Sequence, residues 1–217
     1  IADRILGYQR SILLGGAIMA TGMFMLMAPD LTTFLMGLAV IIVGNGLFKP
    51  NISTMVGKLY APNDARRDSG FTIFYMGINA GAFFAPLICA GVIGAKYGYG
   101  WGFVAAAIGM VFGLAVFQSL RSWLGHVGAN HPGREGWTPV FQVLAGAAVL
   151  TVPVFFLLSK SDVLGGVLAL MLVGLAVYFV LSGVRSGEKV QLHRYIAMLI
   201  LFVGNMVFWA LFEQAGS

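Results

Sequence analysis

Long runs without a charged residue constrain this chain more than any other feature. A helix needs about 20 mostly apolar residues to cross roughly 30 Å of hydrocarbon. None of the runs alternates apolar and polar residues as an outer-membrane barrel strand does. The sequence therefore predicts an all-α membrane protein with seven spans. The runs without Asp, Glu, Lys, Arg or His are 11–29, 31–48, 69–95, 97–120, 136–159, 163–184 and 195–212.

Composition excludes the water-soluble classes. Charged residues make up 10% of the chain and hydrophobic residues 59%, whereas a soluble domain carries about 25% charged residues. The net charge is +5, but the cations are spread between apolar runs, so no nucleic-acid partner is predicted. The only cysteine is Cys89, which excludes an internal disulfide and a cysteine-based metal cluster.

The basic residues fall almost entirely on one side of the predicted spans. Ten lie on that side, against Lys96 and Lys160 on the other. The positive-inside rule assigns the ten-residue side to the cytoplasm and predicts a multi-pass protein of the cell inner membrane. The ten are Arg4, Arg10, Lys58, Arg66, Arg67, Arg121, Arg134, Arg185, Lys189 and Arg194.

Lys49 belongs to neither side. It follows eighteen uncharged residues, and its helix is predicted to continue toward Tyr60, which places the ammonium group inside the bilayer. A charge at the centre of a span costs at least ~2.5 kcal/mol. Asn45, Lys49 and Ser53 share one helical face, and Pro50 predicts a kink. We expect this face to look into the bundle or a water-filled cavity; the alternative is a lysine that snorkels to the interface.

Two further polar features interrupt apolar helices. Glu213 lies nineteen residues beyond Arg194, about 28 Å along its helix; it is either an interfacial group or a proton acceptor in a low-dielectric cavity. One polar stripe is formed by Thr72, Tyr75 and Asn79. Its side chains either bind the uncharged polar backbone of a ligand or make hydrogen bonds between helices.

Glycines and histidines give weaker indications. Gly77 with Gly81 and Gly109 with Gly113 are spaced four apart, which predicts close helix packing, although glycine is common in membrane helices anyway. The polar stretch 121–138 contains two histidines without a third ligand nearby, so it is predicted to be a solvated cytoplasmic loop, and no metal or catalytic site is predicted.

Four stretches resemble the proton-dependent oligopeptide transporters of the major facilitator superfamily. The opening ADRILGYQRSILLGG resembles the superfamily's loop motif between its second and third helices. GNGLFKPNIS resembles the fourth helix of the family, RRDSGFTIFYMGINAGAFFAP the fifth-helix signature, and FWALFEQAGS the seventh helix. Ala82 departs from the signature, which usually has Ser. The matching loop residues are Asp3, Arg4, Gly7 and Arg10.

The resemblance implies a proton-coupled symporter that imports di- and tripeptides by alternating access and needs no cofactor beyond the proton gradient. Lys49 would attract the peptide carboxylate, and Tyr75 with Asn79 would bind the amine and backbone. Trp209 and Phe212 would line the cavity. Glu213 would be a protonation or outer-gate residue, and the loop motif would serve conformational change. We expect a monomer in the lipid bilayer.

The resemblance also predicts a division of the chain into domains and a chain that is about half of a transporter. Residues 1–120 would be the rest of the N-terminal six-helix bundle, from the end of its second helix. A cytoplasmic loop, 121–138, would follow. Residues 139–184 would be an inserted hairpin typical of bacterial members, and 185–217 would contain the first helix of the C-terminal bundle.

Two other classes remain open. A major facilitator transporter for another small solute, such as a drug, sugar or nitrate, would share the fold and the opening motif. A membrane protein without transport activity is the second class. No Ser/His/Asp, Cys/His or metal constellation occurs within the predicted helices, so the sequence does not predict an enzyme.

Overall fold

Seven long helices build the structure. The computed structural model describes residues 5–61, 63–129 and 136–215, and all statements below concern these residues. A π-helical segment, Leu87–Gly94, and a last turn, Ala95–Tyr97, continue α3. A 3₁₀ turn, Arg121–Leu124, follows α4. The helices are α1 (Tyr8–Met25), α2 (Leu31–Lys58), α3 (Arg66–Pro86), α4 (Tyr99–Ser119), α5 (Thr138–Ser159), α6 (Ser161–Arg185) and α7 (Lys189–Ala215).

The described helices confirm the prediction of an all-α, multi-pass membrane protein. Six of them, α2 to α7 with the continuation of α3 included, are long and apolar enough to span a bilayer. The exception is α1, which has 18 residues and carries Gln9, Arg10 and Ser11 in its first turn. α1 corresponds to the predicted span 11–29, so length and composition confirm six of the seven predicted spans among the described residues.

The ends of the first two helices follow from their capping residues. Gly7 precedes α1 with φ 78°, a conformation that favours glycine, and its carbonyl oxygen accepts a hydrogen bond of 2.8 Å from the Ser11 hydroxyl. Asp30 caps α2, where its carboxylate accepts from the Thr33 amide at 2.7 Å. Hydrogen bonds from Thr33 hold the pKa of Asp30 below its usual value.

The chain forms two compact units, residues 1–159 and 160–217. In the first unit, α1 packs along α2, α4 packs against α1, and α5 packs against α2. In the second unit, α6 packs against α7, and the rings of Phe179 and Tyr195 lie 5.3 Å apart.

Four glycines let α1 and α2 approach until their backbones touch. A Cβ atom at Gly15 would lie 2.8 Å from the Gly44 carbonyl oxygen, and one at Gly22 would lie 2.7 Å from the Gly37 carbonyl oxygen. Gly15 and Gly22 are seven residues apart, as are Gly37 and Gly44, so each pair lies on one side of its helix. Close approach of this kind is how membrane helices gain packing energy when both lipid and protein are apolar.

The glycine pairs that the sequence singled out are not the ones in close contact. An added Cβ at Gly77, Gly81, Gly109 or Gly113 would have no heavy atom within 4 Å among the described residues. The prediction of tight packing at these pairs is wrong within this chain. Glycines four residues apart lie on one face of a helix. A close contact also needs a small residue at the matching level of the neighbouring helix.

One end of the first unit gathers cations, as the charge pattern predicts. The Lys58 ammonium lies 4.2 Å from the centre of the Tyr8 ring, and the Arg121 Nε–H donates to the Gln9 side-chain oxygen at 2.5 Å. Arg10, in the first turn of α1, donates to the Gly136 carbonyl at 3.1 Å. We call this the basic end.

The segment after α4 makes contacts with α1 and α2. The Gln9 side chain is only 2% exposed and donates to the Val127 carbonyl oxygen at 2.7 Å. Leu124 and Val127 pack against the buried cluster of Tyr8, Ile12 and Met55. The first half of the predicted loop, residues 121–129, therefore contacts the basic end through Leu124 and Val127, while Ser122, Trp123 and His126 stay exposed, as expected of a solvated loop.

We predict that Gly44→Leu destabilises the protein more than Gly109→Leu. Overpacking a close contact costs about 1–3 kcal/mol, and Gly44 touches backbone that cannot move aside. Gly109 has open space, so it controls for the higher helix propensity of leucine. The thermal unfolding midpoint in one detergent is the measurement. Equal midpoints for the two variants would contradict the packing role of Gly44.

Candidate functional site

Lys49 lies within one continuous helix, as the sequence predicts. α2 runs through Lys49 and Pro50 to Lys58. Nine residues separate Lys49 from Lys58, so its Cα lies about 13 Å from that end of the helix. Because the hydrocarbon layer is roughly 30 Å thick, a helix whose end lies at the interface carries Lys49 close to the midplane.

The contact with α1 fixes the direction of the Lys49 face. Gly37 and Gly44 meet α1, and Lys49 is five residues beyond Gly44, which is a rotation of about 140° around the helix. Lys49 and Asn45 are exposed, and an added Cβ at Gly46 would meet no described atom within 4 Å. The side of α2 formed by Asn45, Gly46 and Lys49, here called the Lys49 face, is turned away from α1 and uncovered by the described residues.

Pro50 adds a second polar group to this face. In an α-helix the carbonyl of residue i accepts from the N–H of residue i+4, and proline has no N–H. The carbonyl of Gly46 therefore lacks its ordinary helical partner beside Lys49. Ser53, which the sequence places on the same face, donates its hydroxyl to the Lys49 carbonyl at 3.2 Å.

The polar stripe of α3 reaches the same level as Lys49. An added Cβ at Gly57 would lie 3.3 Å from the Phe71 ring, so these residues mark where α2 and α3 meet. Lys49 is eight residues from Gly57 and Asn79 is eight residues from Phe71, which places both about 12 Å from the meeting point. Tyr75 lies halfway along and is 58% exposed.

Lys49 and Asn79 therefore lie at equal distances along their own helices from the point where α2 and α3 meet. Asn79 is exposed, as Tyr75 is, and no residue of α3 is buried. The Thr72 hydroxyl donates to the Asp68 carbonyl at 2.9 Å, so that member of the stripe is engaged by its own helix. All three members of the stripe are exposed, so Tyr75 and Asn79 differ from Thr72 in that this helix bond does not engage them.

The second unit holds the aromatic residues of the predicted site. Trp209 and Phe212 lie on α7 with ring centres 5.6 Å apart, edge to face. Phe208 stacks on Phe212 at 5.9 Å and was missed by the sequence analysis. Its four-residue spacing from Phe212 is the signal that could have found it. Glu213 follows in the same helix, near its end.

The predicted loop motif is only partly described. Asp3 and Arg4 lie outside the described residues. Gly7 and Arg10 belong to the basic end, where Gly7 begins α1 and Arg10 contacts Gly136. This motif therefore lies at a helix end, apart from the depth of Lys49.

No metal site is evident in the described part of the chain. No group of three or more His, Cys, Asp or Glu residues gathers there. Lys49 itself is a cation, and an anionic group is the ligand chemistry that a lysine inside a span suits.

Comparison with known sequences identifies similarity along nearly the whole chain. Residues 9–217 match the model of the POT family. The chain is 37% identical to an uncharacterised transporter of Bacillus subtilis over 230 residues, which covers 100% of this chain and 46% of that protein. It is 37% identical to a di-/tripeptide transporter of Lactococcus lactis subsp. lactis, with 100% and 46% covered.

Solved structures show the same similarity. A crystal structure of a peptide transporter POT variant in complex with alafosfalin has a TM-score of 0.77 and 36% identity, and covers 98% of this chain and 45% of that chain. A POT family transporter in complex with 5-aminolevulinic acid has a TM-score of 0.76 and 31% identity, with 99% and 46% covered. The chain spans about half the length of the proteins it matches.

We predict that a cysteine at position 49 reacts with a small water-soluble maleimide, because a thiol ionises and reacts only where water reaches it. The test uses the intact protein with Cys89→Ala, in membranes. Phe112→Cys is the matched control, since Phe112 is also exposed, at 69%, on an apolar helix. Lys49→Cys should be labelled and Phe112→Cys should not. Equal labelling of the two would contradict an aqueous Lys49 face.

Proposed function

This chain belongs to the POT family of transporters, and on that premise we propose that the intact protein imports di- and tripeptides together with protons. The fold is part of the major facilitator helical bundle, and transport would follow from alternating access around a central site. The observation that carries the proposal is the Lys49 face: a lysine in the middle of a span, on the uncovered side of α2.

In this mechanism Lys49 attracts the carboxylate of the peptide. A peptide is uniform in its two charged termini and its backbone, so a fixed cation selects peptides without selecting side chains. Tyr75 and Asn79 offer hydroxyl and amide groups to the amine and backbone. Their exposure, and the level that Asn79 shares with Lys49, support this role.

The aromatic residues of α7 would contact the peptide side chains. Trp209 and Phe212 are half-exposed, and aromatic faces accept side chains of varied shape through dispersion and stacking. We include Phe208 in this surface because it stacks on Phe212. Glu213 would take up the coupled proton or act at the outer gate, because a carboxyl group is the side chain that can carry a proton there.

The remaining elements have structural roles in the proposal. α1 to α4 would belong to the N-terminal bundle, α5 and α6 would form the inserted hairpin, and α7 would begin the C-terminal bundle. The proton gradient would drive transport, and no cofactor would be needed. We propose that the transporter acts as a monomer in the inner membrane, with Gly7 and Arg10 in the loop that changes conformation.

We predict that Lys49→Ala abolishes proton-driven dipeptide uptake and that Lys96→Ala does not. Both variants remove one lysine charge, but Lys96 lies at the far end of the α3 continuation. Uptake of a labelled dipeptide into proteoliposomes with an imposed pH gradient is the measurement. Unlabelled di- and tripeptides should compete, and amino acids, sugars and nitrate should not. Normal uptake by Lys49→Ala would remove Lys49 from the mechanism, and competition by sugar or nitrate would favour another solute.

A second prediction concerns the proton. Glu213→Gln should lose gradient-driven accumulation of dipeptide while it retains exchange of labelled for unlabelled dipeptide, because exchange needs binding and conformational change but no net proton movement. Counterflow and gradient-driven assays on the same proteoliposomes separate the two. Full accumulation by Glu213→Gln would exclude this carboxyl group from proton coupling.

A further inference from the structure

An apolar cleft lies between α6 and α7 in the second unit, and the peptide mechanism does not use it. The cleft encloses about 330 Å³, and every described residue that lines it is apolar. Trp209 and Phe212, the aromatic residues of the proposed peptide site, lie outside this lining. The lining includes Leu172, Ala176 and Phe179 of α6 and Met198, Phe202 and Met206 of α7.

The cleft begins where α6 and α7 separate. An added Cβ at Gly183 would lie 3.0 Å from the Leu192 Cα, so the two backbones are in contact at this end of the pair. The rings of Phe179 and Tyr195 meet at the next level, with centres 5.3 Å apart. Beyond Phe179 the two helices are far enough apart to leave the cleft. The helix pair is therefore closed at Gly183 and open further along.

Three cations lie around the closed end. Arg185 ends α6, Lys189 begins α7, and Arg194 lies in the second turn of α7. All three are exposed, and none of them forms an ion pair or a side-chain hydrogen bond within the described chain. Three cations and the carboxylate of Glu188 give residues 185–194 a net charge of +2 with His193 neutral. The charge pattern of the chain places this turn at the cytoplasmic surface.

The depth of the cleft matches one leaflet of a bilayer. On α6 the cleft extends from Phe179 to Leu172, six and thirteen residues from Arg185, which is about 9–20 Å. On α7 it extends from four to twelve residues beyond Arg194, which is about 6–18 Å. A headgroup layer is roughly 5–8 Å thick, and half of the hydrocarbon layer is roughly 15 Å thick.

This depth favours an acyl chain over a protein helix as the occupant. A chain that extends from a headgroup beside the cations would end near the bilayer midplane, where the cleft also ends. A transmembrane helix would need a groove through both leaflets. The combination of cations at the surface and apolar side chains below them has the polarity of a single anionic phospholipid.

We propose that the cleft binds an anionic phospholipid of the cytoplasmic leaflet. The phosphate lies near Arg185, Lys189 and Arg194, and one acyl chain lies between α6 and α7. Basic residues on the cytoplasmic side of membrane helices attract such headgroups. The apolar lining selects a lipid over a free phosphate ion, because apolar side chains offer an ion no ligand. The proposal does not depend on peptide transport.

The test is the quenching of a tryptophan placed in the cleft by Phe202→Trp in the intact protein. The protein is placed in phosphatidylcholine vesicles that contain phosphatidylglycerol brominated along one acyl chain, since bromine quenches a neighbouring indole. We expect brominated phosphatidylglycerol to quench at a lower mole fraction than brominated phosphatidylcholine. All native tryptophans are first replaced by phenylalanine, and in this chain they are Trp101, Trp123, Trp137 and Trp209.

Leu201→Trp is the matched control for the position of the reporter. Leu201 is 74% exposed and lies at nearly the same depth as Phe202, but about 100° around the helix and outside the lining. A tryptophan at this position should show no preference between the two brominated lipids.

Arginine variants identify the source of the preference. Arg185→Gln should weaken the relative affinity for phosphatidylglycerol about fivefold, the factor that corresponds to ~1 kcal/mol per cation near an anionic surface. Arg185→Lys should retain most of the affinity, because the charge remains. Arg67→Gln is the matched control and should leave the affinity unchanged, because Arg67 is exposed at the same predicted membrane side but belongs to α3.

Five outcomes would overturn the proposal. Equal quenching of Phe202→Trp by the two lipids would show no preference for an anionic headgroup, and the same preference at Leu201→Trp would show a general enrichment around the protein. Equal losses in Arg185→Gln and Arg67→Gln would show a general surface charge effect. Relief of quenching by millimolar inorganic phosphate would identify an ion site. Absence of quenching by either lipid would show that another part of the intact protein fills the cleft.

These readouts are separate from peptide uptake. Failure of the transport proposal would leave the quenching preference unchanged, and failure of the lipid proposal would leave the effect of Lys49→Ala on uptake unchanged.

Discussion

The contact of α1 with α2 through glycine backbones determines the direction of the Lys49 face. Gly15 with Gly44 and Gly22 with Gly37 leave no room for a single Cβ atom. Two contacts about two turns apart fix not only the distance between the helices but also the rotation of α2 around its own axis. Since Lys49 is about 140° around the helix from Gly44, this rotation keeps the ammonium group away from α1.

The number and order of the helices could be predicted from the sequence, and the packing could not. Charge-free length decides whether a segment can cross the membrane, and the continuation of α2 through Lys49 and Pro50 followed from the distance to Lys58. Packing depends on which residues of two different helices meet at one level. The spacing of Gly77 and Gly81 contains no information on that neighbour, and both lie open in the described chain.

The contacts at the basic end could not be predicted from the sequence for a different reason. Composition marks residues 121–138 as polar, which indicates a loop but not what the loop contacts. Gln9 is buried at the start of an apolar helix, and its two polar side-chain atoms are satisfied by Val127 and Arg121. A buried amide needs such partners, so a glutamine before an apolar run could have indicated that some polar segment folds over it. The sequence does not specify which segment.

The energetics of the Lys49 face favour water over lipid as its surroundings. A lysine at the middle of a span costs at least ~2.5 kcal/mol, and a carbonyl group without a hydrogen bond costs roughly 1–3 kcal/mol more. Pro50 places such a carbonyl, that of Gly46, beside the ammonium group. A helix that needed to face lipid would carry neither group there, whereas a helix beside an aqueous cavity satisfies both with water. The ammonium group also remains available to an anionic ligand, which can replace that water.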